Sequence, residues 1–598
     1  RAYRRALRAA PGHRAAAHNL ALTLAASHRV DEALGVLAHT LAHDPAADEL
    51  WRLTAQYRLE RGDPRGAFDA LSRALALAPD VLDAELCRGV GTALRVGRHF
   101  EDAVWLIRHG LRLHPANATL FHHLGVTFGI MRERAKAAAC LRHAIMLDPA
   151  HPFALNSHGI DLCSLGQSEA GVRALERALL LEPYHTALHS NLALNIQYDP
   201  GAAQDRILEI HRLWDRRHGS RWLPPADDWQ PTPFKRLRIG YVSPDFGQHP
   251  VGFFLRGVIP NHDRAAFEVF CYSNRADEDP MTAFFEANAD HWVPCASMGH
   301  AELAGRIRGD RIDILVDLAG HTQGNRLPVF AVKPAPVQAT WAGYVGTTGL
   351  SAMDYLISDA RQSPPEHDRW TVETVIRLPD CYVCYDPPPY APQVVPPPCR
   401  RNGFVTFGCF NNLAKVNDRV VALWSDLLRG RPDRRLRLQT QALGDPRGRR
   451  RIYDAFAAHG VGADQLDLHG GAFHRQLLEA YGEVDVALDP FPYSGGLTTL
   501  ESLWMGVPVV TLAGERFCSR HSVSHLTAAG VPELAVDDER SYVALAGALA
   551  DDPGRLDFYR STLRPRMAAS PLLDLPGFTR NLERALRRMW QRWCMLNG

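Results

Sequence analysis

The stretch DVALDPFPYSGGLTTLESLWMGVPVVT, residues 485 to 511, holds the densest set of groups that could do chemistry. It runs from a strand-like segment through Gly495 and Gly496 into a helix-forming segment, and then into a second strand-like run. Paired glycines let a ligand come close to the backbone, and the unpaired amides at the start of a helix, here near Thr498 and Thr499, carry partial positive charge. That combination receives a pyrophosphate. Glu501, just inside the helix, offers a carboxylate that can accept hydrogen bonds from a ribose diol. Taken alone, the segment also reads as a glycine-softened loop with an ordinary helix cap.

Other polar loops point to the same chemistry. His249 lies in SPDFGQHPVG (243 to 252), directly after a strand-like run, where an imidazole can take or orient a proton near neutral pH. DLAGHTQGNR (317 to 326) offers His321 and Thr322 at another strand end, and GYVGTTG (343 to 349) adds Gly346 and Thr347 in a glycine loop. These three loops are expected to converge on one rim. CFNNLAKVND (409 to 418) would aim Asn412 and Lys415 across the same cleft, where an ammonium could neutralise a departing diphosphate. Lys415 is one of four lysines, with Lys136, Lys235 and Lys333, in a chain whose basic residues are otherwise arginines. The catalytic candidates are therefore His249, Lys415 and His321. The D-x-D at Asp277 and Asp279 reads as a charged surface loop, so no metal is expected.

The elements that must position these loops follow from periodicity. Prolines 11, 45, 79, 115, 149 and 183 recur every 34 residues, with two residues inserted between 79 and 115, and each closes an Ala/Leu-rich helical stretch. This is the period of the tetratricopeptide repeat, a helical solenoid with a concave face. After about residue 200 the pattern changes to short β-rich runs at 236–243, 267–273 and 313–320, then at 404–410, 435–440, 484–489 and 507–512, with helical stretches between them. The expected fold is an α-solenoid followed by an α/β body of two Rossmann-like halves with a ligand cleft between them. The expected boundaries are a repeat superhelix over 1–200, a linker helix and Pro-rich connection over 201–235, an N-terminal catalytic half over 236–386, a stiff Pro-rich linker over 387–401, and a nucleotide-sugar-binding half over 402–598.

With 598 residues, several domains are required. Sixty-seven Lys+Arg against 66 Asp+Glu give a net charge of +1, which provides no global attraction to nucleic acid or to an anionic membrane. The 11 cysteines show no disulfide-scaffold spacing, which indicates a reducing, cytoplasmic setting, and the C-x-x-C at Cys381 and Cys384 lacks a second ligand pair for zinc. No run of about 18 apolar residues exists. The opening residues read as the tail of a repeat helix.

Taken in order, the repeats, SPDFGQHP, KPAPVQATWAGYVGTTG, FNNLAKVND and SGGLTTLESLWMG resemble the nucleocytoplasmic O-linked N-acetylglucosamine transferases, in a bacterial form, over nearly the whole chain. The resemblance implies a metal-independent, inverting GT-B enzyme. Such an enzyme needs no cofactor, takes UDP-N-acetylglucosamine as donor, and has the Ser or Thr hydroxyls of proteins or peptides as acceptors. It matches His249 to the family's active-site histidine, Lys415 to its diphosphate lysine, Asn412 to a glutamine, Thr498 to a diphosphate threonine and Glu501 to a ribose aspartate, and it sets Ala472 and His474 where uracil is held. Gly496 and Leu497 stand where the family usually has a histidine before its threonines. Asn19 and Asn191 alone occupy the asparagine-ladder position of the repeats, with Leu53, His123 and Ser157 between them, which weakens the case for peptide capture in the repeat groove. Two other readings compete: a protein O-fucosyltransferase using GDP-fucose, whose G-H-T segment resembles Gly320-His321-Thr322, and a repeat scaffold with a degenerate catalytic half.

Overall fold

Each proline of the 34-residue series falls two residues past a helix end: Pro45 after Val30–His43, Pro79 after Pro64–Leu77, Pro115 after Phe100–Leu113 and Pro149 after Arg134–Leu147. A proline there cannot donate to the preceding turn, so it stops the helix and lets the chain reverse. The structure, a computed structural model, describes residues 1–80, 82–219 and 229–598. Residues 220–228 of the expected Pro-rich connection lie outside the described residues. The chain forms two compact units, Arg1–His158 and Gly159–Gly598.

In the first unit, small residues set the helix spacing. Ala67, Ala70 and Ala74 of Pro64–Leu77 are buried beside Leu71 and Leu75, and a Cβ on Gly91 would sit 2.9 Å from Ile107 of the next helix. Asp63 and Asn117 cap their helices by accepting from the amides of Gly66 at 2.8 Å and Leu120 at 2.9 Å.

The second unit opens with the helices Ser168–Leu181, Thr186–Asn195 and Gln204–His218. Two sheets follow. The first contains β1 (Leu237–Ser243), β2 (Phe267–Ser273), β3 (His291–Pro294), β4 (Ile314–Asp317), β5 (Val337–Thr340), β6 (Tyr355–Asp359) and β7 (Thr374–Leu378), in the order 3-2-1-4-5-6-7. The second contains β8 (Val405–Cys409), β9 (Arg434–Gln439), β10 (Leu466–His469), β11 (Val486–Leu488), β12 (Val509–Leu512) and β13 (Ala535–Val536), in the order 10-9-8-11-12-13. The pairings are parallel, for example Ile239 opposite Val269 on one side and Ile314 on the other. Strands covered on both faces are apolar throughout. In β4, Ile314 and Val316 join one core and Leu315 the other. These two doubly wound sheets behind a helical-repeat region are the architecture the periodicities predict.

The last helix, Leu575–Asn597, returns to the first sheet and buries Phe578, Leu582, Leu586, Met589 and Trp590 in its core. Glu583 on that helix accepts from His262 at 3.0 Å and from the Asp263 amide at 2.8 Å. In each sheet the strand order reverses beside the first strand, at β1/β4 and β8/β11. That is where parallel sheets open a crevice at their carboxyl ends.

The loops after β4 and β5 touch backbone to backbone. A Cβ on Gly343 would lie 1.6 Å from the Leu318 carbonyl oxygen, and one on Gly320, at φ +51°, 2.3 Å from Tyr344 Cβ. Gly343→Ala is expected to cost about 3 kcal/mol or more in denaturant unfolding, because the backbone itself must move. Gly346→Ala, whose nearest neighbour is 3.7 Å away, should change stability by less than about 1 kcal/mol. Equal stability for the two variants would refute this account of the loops.

Candidate active site

The crevice of the second sheet is closed by one ammonium. Lys415 ends the 3-10 turn Leu413–Lys415 after β8, and its Nζ donates to Asn411 Oδ1 at 3.0 Å and, across the switch point, to the Ser494 carbonyl at 2.8 Å in the loop after β11. The same Nζ stands 4.1 Å from the centre of the Tyr493 ring. Burial pushes the Lys415 pKa down to about 8, against the pull of Asp489, so the group is still an ammonium at pH 7.

The glycine loop is pinned around this charge. Asp489 accepts from the Gly495 amide and from Thr511 Oγ1, each at 2.6 Å. Ser522 donates to the Gly495 carbonyl at 3.1 Å and meets Thr499 Oγ1 at 2.7 Å. A Cβ on Gly495 would lie 2.4 Å from Thr499 Oγ1, so only glycine fits. The helix Leu497–Trp504 starts here, and Thr498 at its first turn donates to Asn411 Oδ1 at 3.1 Å.

One turn further along that helix, Glu501 is 1% exposed and pairs with His474 Nε2 at 2.6 Å. Burial raises the Glu501 carboxyl, and the His474 bond opposes that shift. His474 opens the helix His474–Ala480, just after the exposed Ala472. Its Nδ1 meets the Tyr390 hydroxyl at 2.8 Å, and Phe253 packs on its ring at 4.8 Å. Phe253 belongs to the helix Pro250–Leu255, whose N-cap is His249. A line of contacts therefore runs from His249 in the first half to Glu501 in the second.

His249 itself is 44% exposed on its side chain, with Nδ1 3.5 Å from Asp245 Oδ1. Enclosure, followed by the nearby Arg275 charge, lowers its pKa to about 4, and burial raises Asp245 to about 6. The imidazole is neutral at pH 7 and can accept a proton. Asp279, the second carboxylate of the D-x-D, is committed to backbone: it takes the amides of Gln248, Met281 and Thr282 and bonds Arg275 at 2.8 Å. Among the described residues no cluster of three or more His, Cys, Asp or Glu is arranged to hold a metal. Cys381 and Cys384 are buried; the first meets Ser524 Oγ at 3.3 Å and the second donates to the Phe254 carbonyl at 3.4 Å.

Four expected site residues lie elsewhere. His321 is 1% exposed, not on the rim: its Nδ1 meets Ser190 Oγ at 3.1 Å and its Nε2 the Thr348 carbonyl at 2.8 Å. Both ring nitrogens are used, and burial holds its pKa well below the usual imidazole range. Gly346 and Thr347 turn away from Lys415, because Tyr344 anchors their loop to the helices through the Ala193 carbonyl at 3.0 Å and His211 at 2.7 Å. Thr347 is buried and donates to Glu373 at 2.6 Å, while Gly346 borders a separate cavity with Gln197 and Phe517. Asn412 is exposed and caps the 3-10 turn, accepting from the Ala414 amide at 3.1 Å, while its neighbour Asn411 binds Lys415 and Thr498. Asn411, Tyr493 and Tyr390 escaped the sequence reading. A second Asn in the NN pair and an aromatic just before the Ser-Gly-Gly loop were the available signals for the first two.

Comparison with known proteins places the chain in a family. A probable UDP-N-acetylglucosamine–peptide N-acetylglucosaminyltransferase SPINDLY of Arabidopsis thaliana is 38% identical over 411 residues, 68% of this chain and 45% of that protein. The corresponding SEC protein of the same plant is 33% identical over 373 residues, 60% of this chain and 38% of its own. The chain thus spans less than half the length of these curated relatives. A solved structure of a lysine-to-methionine mutant of the Thermobaculum terrenum O-GlcNAc transferase superposes with a TM-score of 0.82 at 37% identity, covering 87% of this chain and all of the other. The family model of glycosyl transferase family 41 matches residues 226–388 and 401–582, more than half of the chain and nearly all of both sheets. The chain belongs to glycosyl transferase family 41.

Proposed function

We propose that this protein transfers N-acetylglucosamine from UDP-N-acetylglucosamine to Ser or Thr hydroxyls of proteins, with inversion at the sugar carbon and without a metal ion, in the cytoplasm. The observation that carries this reading is the Lys415 ammonium at the Gly495–Thr498 helix start, a place where positive charge and backbone amides face one crevice. The plant relatives, which bear the name of UDP-N-acetylglucosamine–peptide transferases, support the donor and the peptide acceptor, and the similarity to the T. terrenum O-GlcNAc transferase supports the transferred sugar. No helix among the described residues is long and apolar enough to cross a membrane.

In this reading the diphosphate sits against Lys415, Thr498 and the helix amides. Glu501 receives the ribose hydroxyls, and the segment Ala472–His474 faces the base. The acceptor oxygen attacks the anomeric carbon as the bond to the β-phosphate oxygen breaks, and UDP leaves with the bonding electrons. Lys415 is aimed at the charge that develops there and needs no reorganisation as it does so. His249, neutral and with Nδ1 accepting from the Val251 amide close to Asp245, orients the acceptor or takes its hydroxyl proton.

Calorimetric titration should find UDP bound equally well with and without chelator, and more tightly than GDP. Weaker UDP binding after chelation would overturn the metal-free reading, and preference for GDP would overturn the donor.

Lys415 and His249 should fail differently. Lys415→Ala should cut turnover by roughly 10²-fold or more and weaken UDP, and Lys415→Arg should be poor as well, since a planar guanidinium does not replace a compact charge. His249→Ala should spare UDP and lower turnover by about 10²-fold. The ammonium is present below its pKa of about 8 and lost above it, so turnover should fall on the alkaline side. The wild-type acid limb, where His249 becomes protonated, should flatten in His249→Ala. A His249→Ala variant with full activity at every pH would remove it from the reacting centre.

Glu501→Ala should weaken UDP by about 1 to 3 kcal/mol through loss of a charged acceptor and of the His474 partner. Unchanged UDP affinity would show that the ribose lies elsewhere.

A further inference from the structure

Lys415 is held from behind by the helical segment that precedes the first sheet. Its ammonium rests over the Tyr493 ring, which meets His521 at 5.9 Å and is stacked on Tyr198 at 5.0 Å between centroids and 12° between planes. Tyr198 ends the 3-10 turn Ile196–Tyr198, which extends the helix Thr186–Asn195. That turn is clamped in place: Arg516 donates to the carbonyls of Gln197 at 3.3 Å and Asp199 at 2.8 Å. The loop that receives Lys415 is tied into the same strip, since the Ser494 amide donates to the Cys518 carbonyl at 2.8 Å.

The helices also reach the other side of the lysine loop. Gly166, at φ +78° between the helices Pro152–Ser164 and Ser168–Leu181, comes so near the Val416 carbonyl that a Cβ would lie 2.5 Å from that oxygen. Arg451 bridges the two, donating to Val416 O at 2.7 Å and to Gly166 O at 3.3 Å. Val416 is the next residue after Lys415. The lysine is therefore gripped between a Tyr–Tyr stack and a backbone contact, both anchored on helices of the repeat type.

We propose that Tyr198 is a positioning residue for Lys415, which couples the helical segment carrying it to the departure of the diphosphate. The inference rests on the reading of Lys415 given above. An ammonium over an aromatic face is attracted by the ring quadrupole, and the attraction grows when the pair is shielded from water. If the backing ring is removed, Tyr493 can tilt and water can enter beneath it. The Nζ then moves off the line to Ser494, and the group regains hydration. Lys415 would titrate higher, since its pKa is low chiefly through burial.

The test uses the full chain and donor hydrolysis, which needs no acceptor protein, for Tyr198→Ala, Tyr198→Leu, Tyr198→Phe and Lys415→Met. Tyr198→Ala and Tyr198→Leu should lose roughly tenfold in turnover, with the alkaline limb of the pH–rate profile displaced upward, whereas Tyr198→Phe, which keeps the aromatic face, should match the wild type in both. A merely structural role would lower thermal stability in all three without moving the limb. Tyr198→Leu keeps the bulk of the side chain and guards against a variant that simply fails to fold. If Lys415→Met is inactive while Tyr198→Ala and Tyr198→Leu keep the wild-type rate and limb, the coupling is refuted and the reading of Lys415 survives. If Tyr198→Phe fails as badly as Tyr198→Ala, the stack is not the cause. If Lys415→Met turns over normally, both the coupling and that reading are overturned.

Discussion

One partly enclosed positive charge governs the second half of this protein. An ammonium taken partly out of water needs partners, and those of Lys415 are a side-chain amide oxygen, a backbone carbonyl and an aromatic face. None of these is an anion. A carboxylate in direct contact would satisfy the charge and repel a diphosphate. Asp489, the nearest acid with an influence on Lys415, is instead engaged by the Gly495 amide and the Thr511 hydroxyl. It stiffens the glycine loop while the ammonium stays available. The price of this arrangement is a lysine with a lowered pKa, and the β8/β11 switch point is the place in the fold where two strand-end loops can supply neutral partners from both sides.

The same economy of partners explains why two histidines of similar sequence context have different fates. His249 and His321 each follow a strand of the first sheet, at its switch point. His249 caps a short helix with one nitrogen and leaves its ring edge half exposed, whereas His321 meets acceptors or donors at both nitrogens and is walled by Trp214, Tyr344 and His211. Nothing in the local sequence separates the two. The difference lies in what covers the loop, and the cover comes from helices more than a hundred residues away.

That contrast marks how far the sequence could be read. The proline period located helix ends, because proline acts on its own turn, and the short β-rich runs gave β1, β2, β4, β8, β9, β11 and β12. The remaining strands, such as Val337–Thr340, Leu466–His469 and Ala535–Val536, have two to five residues and too little pattern to register. The glycine loop, Lys415, Glu501 and His249 were legible as polar groups at strand ends and helix starts. Tyr390 was not, since a proline-rich run suggests only an extended spacer, yet that run is fastened along its length: Arg256 pairs with Asp386 at 3.0 Å, Tyr390 with His474, and Arg564 donates to the Pro392 carbonyl at 2.8 Å. Gly346 and Thr347 misled for the opposite reason. A Gly-Thr-Thr run carries the composition of a phosphate loop, but its hydroxyls are consumed by Glu373.

The helices Ser168–Leu181 and Thr186–Asn195 continue the repeat pattern in sequence, yet with Gln204–His218 they pack as part of the second unit. Their contacts are with the working loops. Ser190 and His211 hold the loops after β4 and β5, Tyr198 backs Tyr493, and Gly166 meets the Lys415 loop. Repeat helices elsewhere can slide or fray at modest cost, because each contacts only its neighbours. Here a shift of even an ångström would have to be absorbed by buried imidazoles and by backbone contacts with no room for a methyl group. Rigidity at this junction follows directly.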